Sequence, residues 1–98
     1  MSELLSDNDC EKALIGLDGW AYNDVYKNIE KTFSFNNFES AVTFVQHVAS
    51  ISIQLNHYPD ITIRNNGTAK VTSTTNDVNG VTEKDIALAE SVEILVSG

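Results

Sequence analysis

The chain has 98 residues, the size of one small domain, and residues 1–98 read as a single unit. Six Lys and Arg against 14 Asp and Glu give a formal net charge of −8, a poor match to nucleic acid, whose phosphates reward clustered cations. Hydrophobic residues make up 42%, enough for a packed core and too many for a disordered chain, yet no run approaches the roughly 20 apolar residues that span a bilayer. Nucleic acid and membrane are therefore excluded as partners. The opening Met1-Ser2-Glu3 lacks the basic start of a secretory signal, and the single Cys10 can form neither an internal disulfide nor a cysteine-based zinc site. The expected setting is the reducing cytoplasm.

Residues 6–16 read as a first helix: Ser6 and Asp9 have capping-box spacing, Ala13 and Leu14 extend a short apolar face, and Gly16 is a natural stop. A strand begins at Gly19-Trp20-Ala21-Tyr22. The run Tyr26 to Phe35 alternates, with Ile29, Phe33 and Phe35 on one face and Glu30, Thr32 and Ser34 on the other; Lys31 breaks the apolar face. Asn36 and Glu39 open a long helix over residues 37–56. Its apolar face is read as Phe38, Ala41, Val42, Val45, Val48, Ala49, Ser52 and Leu55. The helix must end before Pro59.

Residues 60–65 alternate again, with Ile61 and Ile63 on one side. Asn66-Gly67 is a turn signal, and Ala69, Val71, Ser73 and Thr75 continue as one face of a fourth strand. Asp77 to Gly80 reads as a loop. Thr82 and Asp85 then cap a last helix over residues 82–95, with Ile86, Ala89, Val92 and Val96 on one side. The order is α-β-β-α-β-β-α, an α+β fold. Two hairpins predict one four-stranded antiparallel sheet with three helices on one face and the other face bare. Small size, a bare sheet face and an unpaired edge predict a homo-oligomer, dimer or tetramer.

Four blocks, Gly19-Trp20, Phe33-Ser34-Phe35-Asn36-Asn37-Phe38, Asn56-His57-Tyr58-Pro59-Asp60-Ile61-Thr62-Ile63 and Gly80-Val81-Thr82-Glu83-Lys84-Asp85-Ile86-Ala87-Leu88-Ala89, resemble the pterin-4a-carbinolamine dehydratases in order and spacing. The resemblance covers roughly residues 10–95. It implies the same element order, dimers or tetramers, and dehydration of a 4a-hydroxytetrahydropterin to the quinonoid dihydropterin. It implies neither a metal nor an organic cofactor. Histidines carry the protons in that family, since imidazole can both accept and release a proton near neutral pH.

This chain departs from the family pattern. Of the family's His-His-Pro, the first His matches His57, the second is Tyr58, and the Pro matches Pro59. The family's third histidine falls on Asn76, after Thr75, and its acid four residues before the first His falls on Ile53. His57 is thus the retained catalytic histidine, and Asn56, His57, Tyr58, Thr75, Asn76 and Asp77 are the expected pterin-binding residues. Each also has a plainer role. A helix-end His caps carbonyls, a Tyr anchors a turn, and Asn is ordinary turn chemistry. Tyr58 and Asn76 can orient a ligand, but a phenol is a sluggish acid at neutral pH and an amide carries no proton.

Asp85 is explained by capping with Thr82 alone, His47 needs no role beside the apolar stripe, and Cys10 has no basic neighbour to activate it. Two histidines with no nearby carboxylate set make no metal site. The resemblance therefore implies either a dehydratase with weakened or lost activity, or a non-catalytic relative. Members of that second branch assemble RuBisCO in carboxysome-containing bacteria and plants.

Overall fold

A computed structural model of the chain describes residues 3–97. Helix α1 spans Asp7–Ala13, strands β1 and β2 span Ala21–Asn23 and Asn28–Ser34, and α2 spans Phe38–Leu55. Strands β3 and β4 span Asp60–Ile63 and Thr68–Ser73, a 3-10 turn follows at Asn76–Val78, and α3 spans Glu83–Ser97. Every pairing in the sheet is antiparallel, in the order β1-β2-β4-β3.

The register carries the two-residue period across the whole sheet. Tyr22, Ile29 and Ser73 lie side by side, as do Lys31, Val71 and Ile61, and Phe33, Ala69 and Ile63. These rows meet the helices. The alternate row, Ala21, Glu30, Thr72 and Asp60, stays on the bare face. Ile29, Ala69 and Val71 are fully buried against Val48 from α2 and Leu88, Ala89 and Val92 from α3. Phe44 joins this core between two rings, 4.7 Å from Phe33 and 5.0 Å from Phe35 between centroids.

The expected helix and strand edges shift in detail. Helix α1 ends at Ala13 rather than at Gly16, because residues 14–17 tighten into i→i+3 turns: Ile15 N–H donates to the Lys12 carbonyl and Leu17 N–H to that of Leu14. Asn37, not Asn36, caps α2; its Oδ1 accepts from Ser40 N–H at 2.8 Å. The buried stripe of α2 is Ala41, Phe44, Val48 and Ser52, so Phe38 and Leu55 are exposed instead of buried. In α3, Leu88 joins Ala89 and Val92 on the buried face, and Val96, expected on it, is exposed. The loop after β4 is a 3-10 turn closed by a bridge between Thr75 and Gly80.

Lys31, the exception on the apolar face of β2, is explained by three partners. Its Nζ donates to Glu93 Oε2 at 2.9 Å and to the Asp18 carbonyl at 2.8 Å, and it lies 4.8 Å from the centre of the Phe33 ring. Trp20 Nε1 donates to the same Glu93 oxygen at 3.0 Å. A charge can sit at the core's rim when its hydrogen bonds are met. On the other side, Tyr22 Oη and Lys27 Nζ both donate to Asp7 Oδ1, tying α1 to the first hairpin. Burial first, and then the bond to Asp7, push the Tyr22 phenol well above its ordinary value of 10.0.

Gly67 has φ +90° in the β3–β4 turn, and an added Cβ would stand 2.9 Å from the Phe35 carbonyl oxygen. The turn therefore packs against the end of β2 in a way open only to glycine.

Candidate active site

Three segments converge at one end of the sheet. The first is the exit of α2. Asn56 ends that helix in the left-handed region, at φ 54°, and His57 N–H reaches back to the Ser52 carbonyl at 3.1 Å. Asn tolerates this conformation, and the closure turns the chain sharply. His57 is thereby directed inward and is buried, while Tyr58 points outward and is 64% exposed. The second segment is the end of β4. Its alternation continues one step past the strand, so Ser73 and Thr75 face inward, while Asn76 and Asp77 project from the 3-10 turn. The third is the first turn of α3, where Asp85 is completely buried.

Asp85 gathers the other segments. Its Oδ1 accepts from Ser73 Oγ at 2.5 Å and from His57 Nε2 at 2.6 Å. Its Oδ2 accepts from Thr75 Oγ1 at 2.8 Å and from Thr82 N–H at 2.9 Å. The Thr75 hydroxyl proton goes to Asp85, so Thr82 Oγ1 donates to Thr75 across 2.8 Å and accepts from Lys84 N–H at 3.2 Å. Four donors and a helix N-terminus thus hold one buried carboxylate.

Capping alone is therefore too small a role for Asp85. It does satisfy the Thr82 N–H, but it also anchors the imidazole. With Asp85 as acceptor, the network assigns the proton of a neutral His57 ring to Nε2. Nδ1 is left without a hydrogen-bond partner among the described residues. A carboxylate behind an imidazole fixes its tautomer and orientation, and Nδ1 can then exchange a proton with a ligand.

A cavity of about 280 Å³ lies beside this ring. Asn56, His57 and Tyr58 line it from the end of α2, and Thr75, Asn76 and Asp77 from the end of β4. Thr74 and Lys84 complete the lining and were not expected from the sequence. Thr74 Oγ1 donates to the Lys27 carbonyl at 2.8 Å, and Tyr58 Oη donates to Asn56 Oδ1 at 3.1 Å. The volume lies at the small end of ligand pockets, which run from about 300 to 1,000 Å³, and the walls are mainly polar. The cavity suits a compact heterocycle rich in hydrogen-bonding groups.

The family model for pterin 4 alpha carbinolamine dehydratase matches residues 3–95. The chain belongs to the pterin-4a-carbinolamine dehydratase family. A Rhizobium etli protein named as a candidate pterin-4-alpha-carbinolamine dehydratase is 40% identical over 92 residues, covering 94% of this chain and 90% of its own. One from Thermosynechococcus vestitus, named likewise, is 39% identical over 95 residues, covering 97% of each. The fold also matches a Brucella melitensis crystal structure titled transcriptional coactivator/pterin dehydratase, with TM-score 0.87, 33% identity, and coverage of 94% of this chain and 97% of that one.

Within this dehydratase-family fold, Ile53 is 67% exposed and is not among the residues lining the cavity. His47 is exposed on α2. Cys10 is buried, and that burial raises its thiol above the ordinary range, which disfavours the reactive thiolate. Among the described residues no group of three His, Cys, Asp or Glu side chains converges to hold a metal, and no helix is long and apolar enough to cross a membrane.

Proposed function

We propose that the protein binds a 4a-hydroxytetrahydropterin in the cavity beside His57 and dehydrates it weakly, with His57 as the remaining proton carrier. The observation that carries this reading is the 2.6 Å contact between His57 Nε2 and the buried Asp85 carboxylate. Burying a carboxylate is unfavourable unless it is fully bonded, and a merely structural helix end does not require an oriented imidazole facing a polar cavity. In the reaction the C4a–O bond breaks, the hydroxyl leaves as water, N5 loses its proton and the C4a–N5 double bond forms. His57 Nδ1 accepts the N5 proton. The departing hydroxyl must draw its proton from solvent, since Tyr58 and Asn76 stand where the family has imidazoles.

Each positioned acid or base is worth about 10²–10⁴-fold, so the site falls well short of a full set. The test is the rate of quinonoid dihydropterin formation with purified protein. A modest acceleration is expected, and His57→Ala should return it to the rate without protein. An acceleration that survives His57→Ala would overturn this reading.

A second reading, a protein-binding scaffold, rests on a different surface. An apolar groove of about 320 Å³ runs between α2 and α3, lined in part by Ile51, Leu55, Ile94 and Leu95, and Ile94 is 72% exposed. Together with the unpaired edges of β1 and β3, this surface supports self-association as a dimer or tetramer. It also supports a role in assembling a client such as RuBisCO. Sedimentation at micromolar concentration should give at least a dimer; a monomer would remove this support.

A further inference from the structure

Two opposite charges line the cavity from different elements. Asp77 sits on the 3-10 turn after β4, and Lys84 in the first turn of α3. Among the described residues neither takes part in an ion pair; the lysines that do are Lys27, Lys31 and Lys70. Helix stability does not account for Lys84. Glu83 and Asp85 suit the positive end of the α3 dipole, whereas a cation there is disfavoured. Its backbone N–H donates to Thr82 Oγ1, and among the described residues its ammonium makes neither a hydrogen bond nor an ion pair. Two unpaired, opposite charges on one small cavity describe a ligand edge that offers donors beside an acceptor.

The pyrimidinone edge of a pterin has that pattern: the 2-amino group and N3–H donate, and the adjacent O4 accepts. We propose that Lys84 is a specificity-determining residue, donating to O4 and so selecting the 4-oxo pteridine ring, while Asp77 accepts from the 2-amino and N3–H side. This rests on the pterin reading above. It adds that the site discriminates at position 4 and tolerates variation at C6, which lies on the other ring. A carboxylate can receive both N–H groups at once, and an ammonium can donate but never accept. A 4-amino ring facing Lys84 therefore leaves donor against donor, and its N3, which carries no hydrogen, leaves acceptor against acceptor at Asp77; sites built around hydrogen bonds reject such unmet pairings strongly.

The experiment is equilibrium binding of pterin and 2,4-diaminopteridine, followed by ligand fluorescence, to the full chain and to Lys84→Met. The Lys84 side chain is at the surface, and an unchanged melting temperature checks that the variant is folded. The native protein is expected to bind pterin about tenfold or more tightly than 2,4-diaminopteridine, a gap of about 1.4 kcal/mol. Lys84→Met should narrow the gap by weakening pterin, leaving the part that N3 contributes at Asp77. Equal binding by the native protein, or a preference that Lys84→Met leaves unchanged, overturns the role of Lys84 and leaves the pterin site standing. If neither pteridine binds, the pterin reading itself fails, and the role of Lys84 with it.

Discussion

Restoring imidazoles through Tyr58→His together with Asn76→His should raise dehydratase turnover by about 10²-fold or more. Both positions line the cavity beside His57 from its two walls, and both side chains are exposed, so the substitutions place proton carriers without disturbing the core. With three imidazoles around one ring, a base can take the N5 proton while an acid delivers one to the departing hydroxyl. The single substitutions should each give less than the pair, because an acid and a base working on one transition state are not additive. The measurement is the initial rate of quinonoid dihydropterin formation for the native chain, each single variant and the double variant. A native chain that already turns over at about 1–10³ s⁻¹, typical of enzymes, and gains nothing from the pair would show that the site is complete with one histidine.

Asp85→Ala should destabilise the fold strongly. The carboxylate accepts from His57, Ser73, Thr75 and Thr82, and its removal strands those donors in a site closed to water. Leaving buried donors without their acceptor costs about 1–3 kcal/mol for each group stranded, so the total should be at least about 3 kcal/mol. At about 4–8 °C per kcal/mol for a domain of this size, the melting temperature should fall by about 12 °C or more. Asp85→Asn keeps the shape and two polar atoms and should fall less, yet it replaces an acceptor-only group with one that also donates. Urea unfolding of both variants, alongside Ser73→Ala, separates the network from local packing. Ser73→Ala removes one donor and should cost only about 1 kcal/mol. A loss of only a few degrees in Asp85→Ala would mean that the carboxylate is not the hub of this end of the sheet.

The same residues mark how far sequence reasoning reaches. Strand alternation in β2 and β4 was legible because a two-residue period has only two faces, and the register of the sheet follows once one face is apolar. The caps at Ser6 and Thr82 were legible because their partners lie three residues away. The dehydratase family was legible in four short blocks, all within the matched residues 3–95.

The inward face of α2 was legible only in part: Ala41, Val48 and Ser52 were read on it and are buried, but Phe44 was not. Ala41, Phe44 and Val48 form one apolar stripe and Phe38, Val42 and Val45 an adjacent one. Only the rings of Phe33 and Phe35 on the sheet decide that Phe44 turns in. Lys31 likewise looked misplaced until Glu93, 62 residues on, supplied its partner.

Asp85 shows the division most clearly. Its local bond to Thr82 is written in the sequence, and that bond alone makes a capping residue. Its bonds to Thr75, Ser73 and His57 span 10, 12 and 28 residues. Hydrogen bonds at such separations leave no periodic trace along the chain. The sequence by itself determined the element order, the alternating faces and the place of a histidine at the exit of the long helix. Only the packing of α3 against the end of β4 and the exit of α2 decided that this histidine would be held by a buried carboxylate. Only the same packing decided that Lys84 would face the cavity beside it.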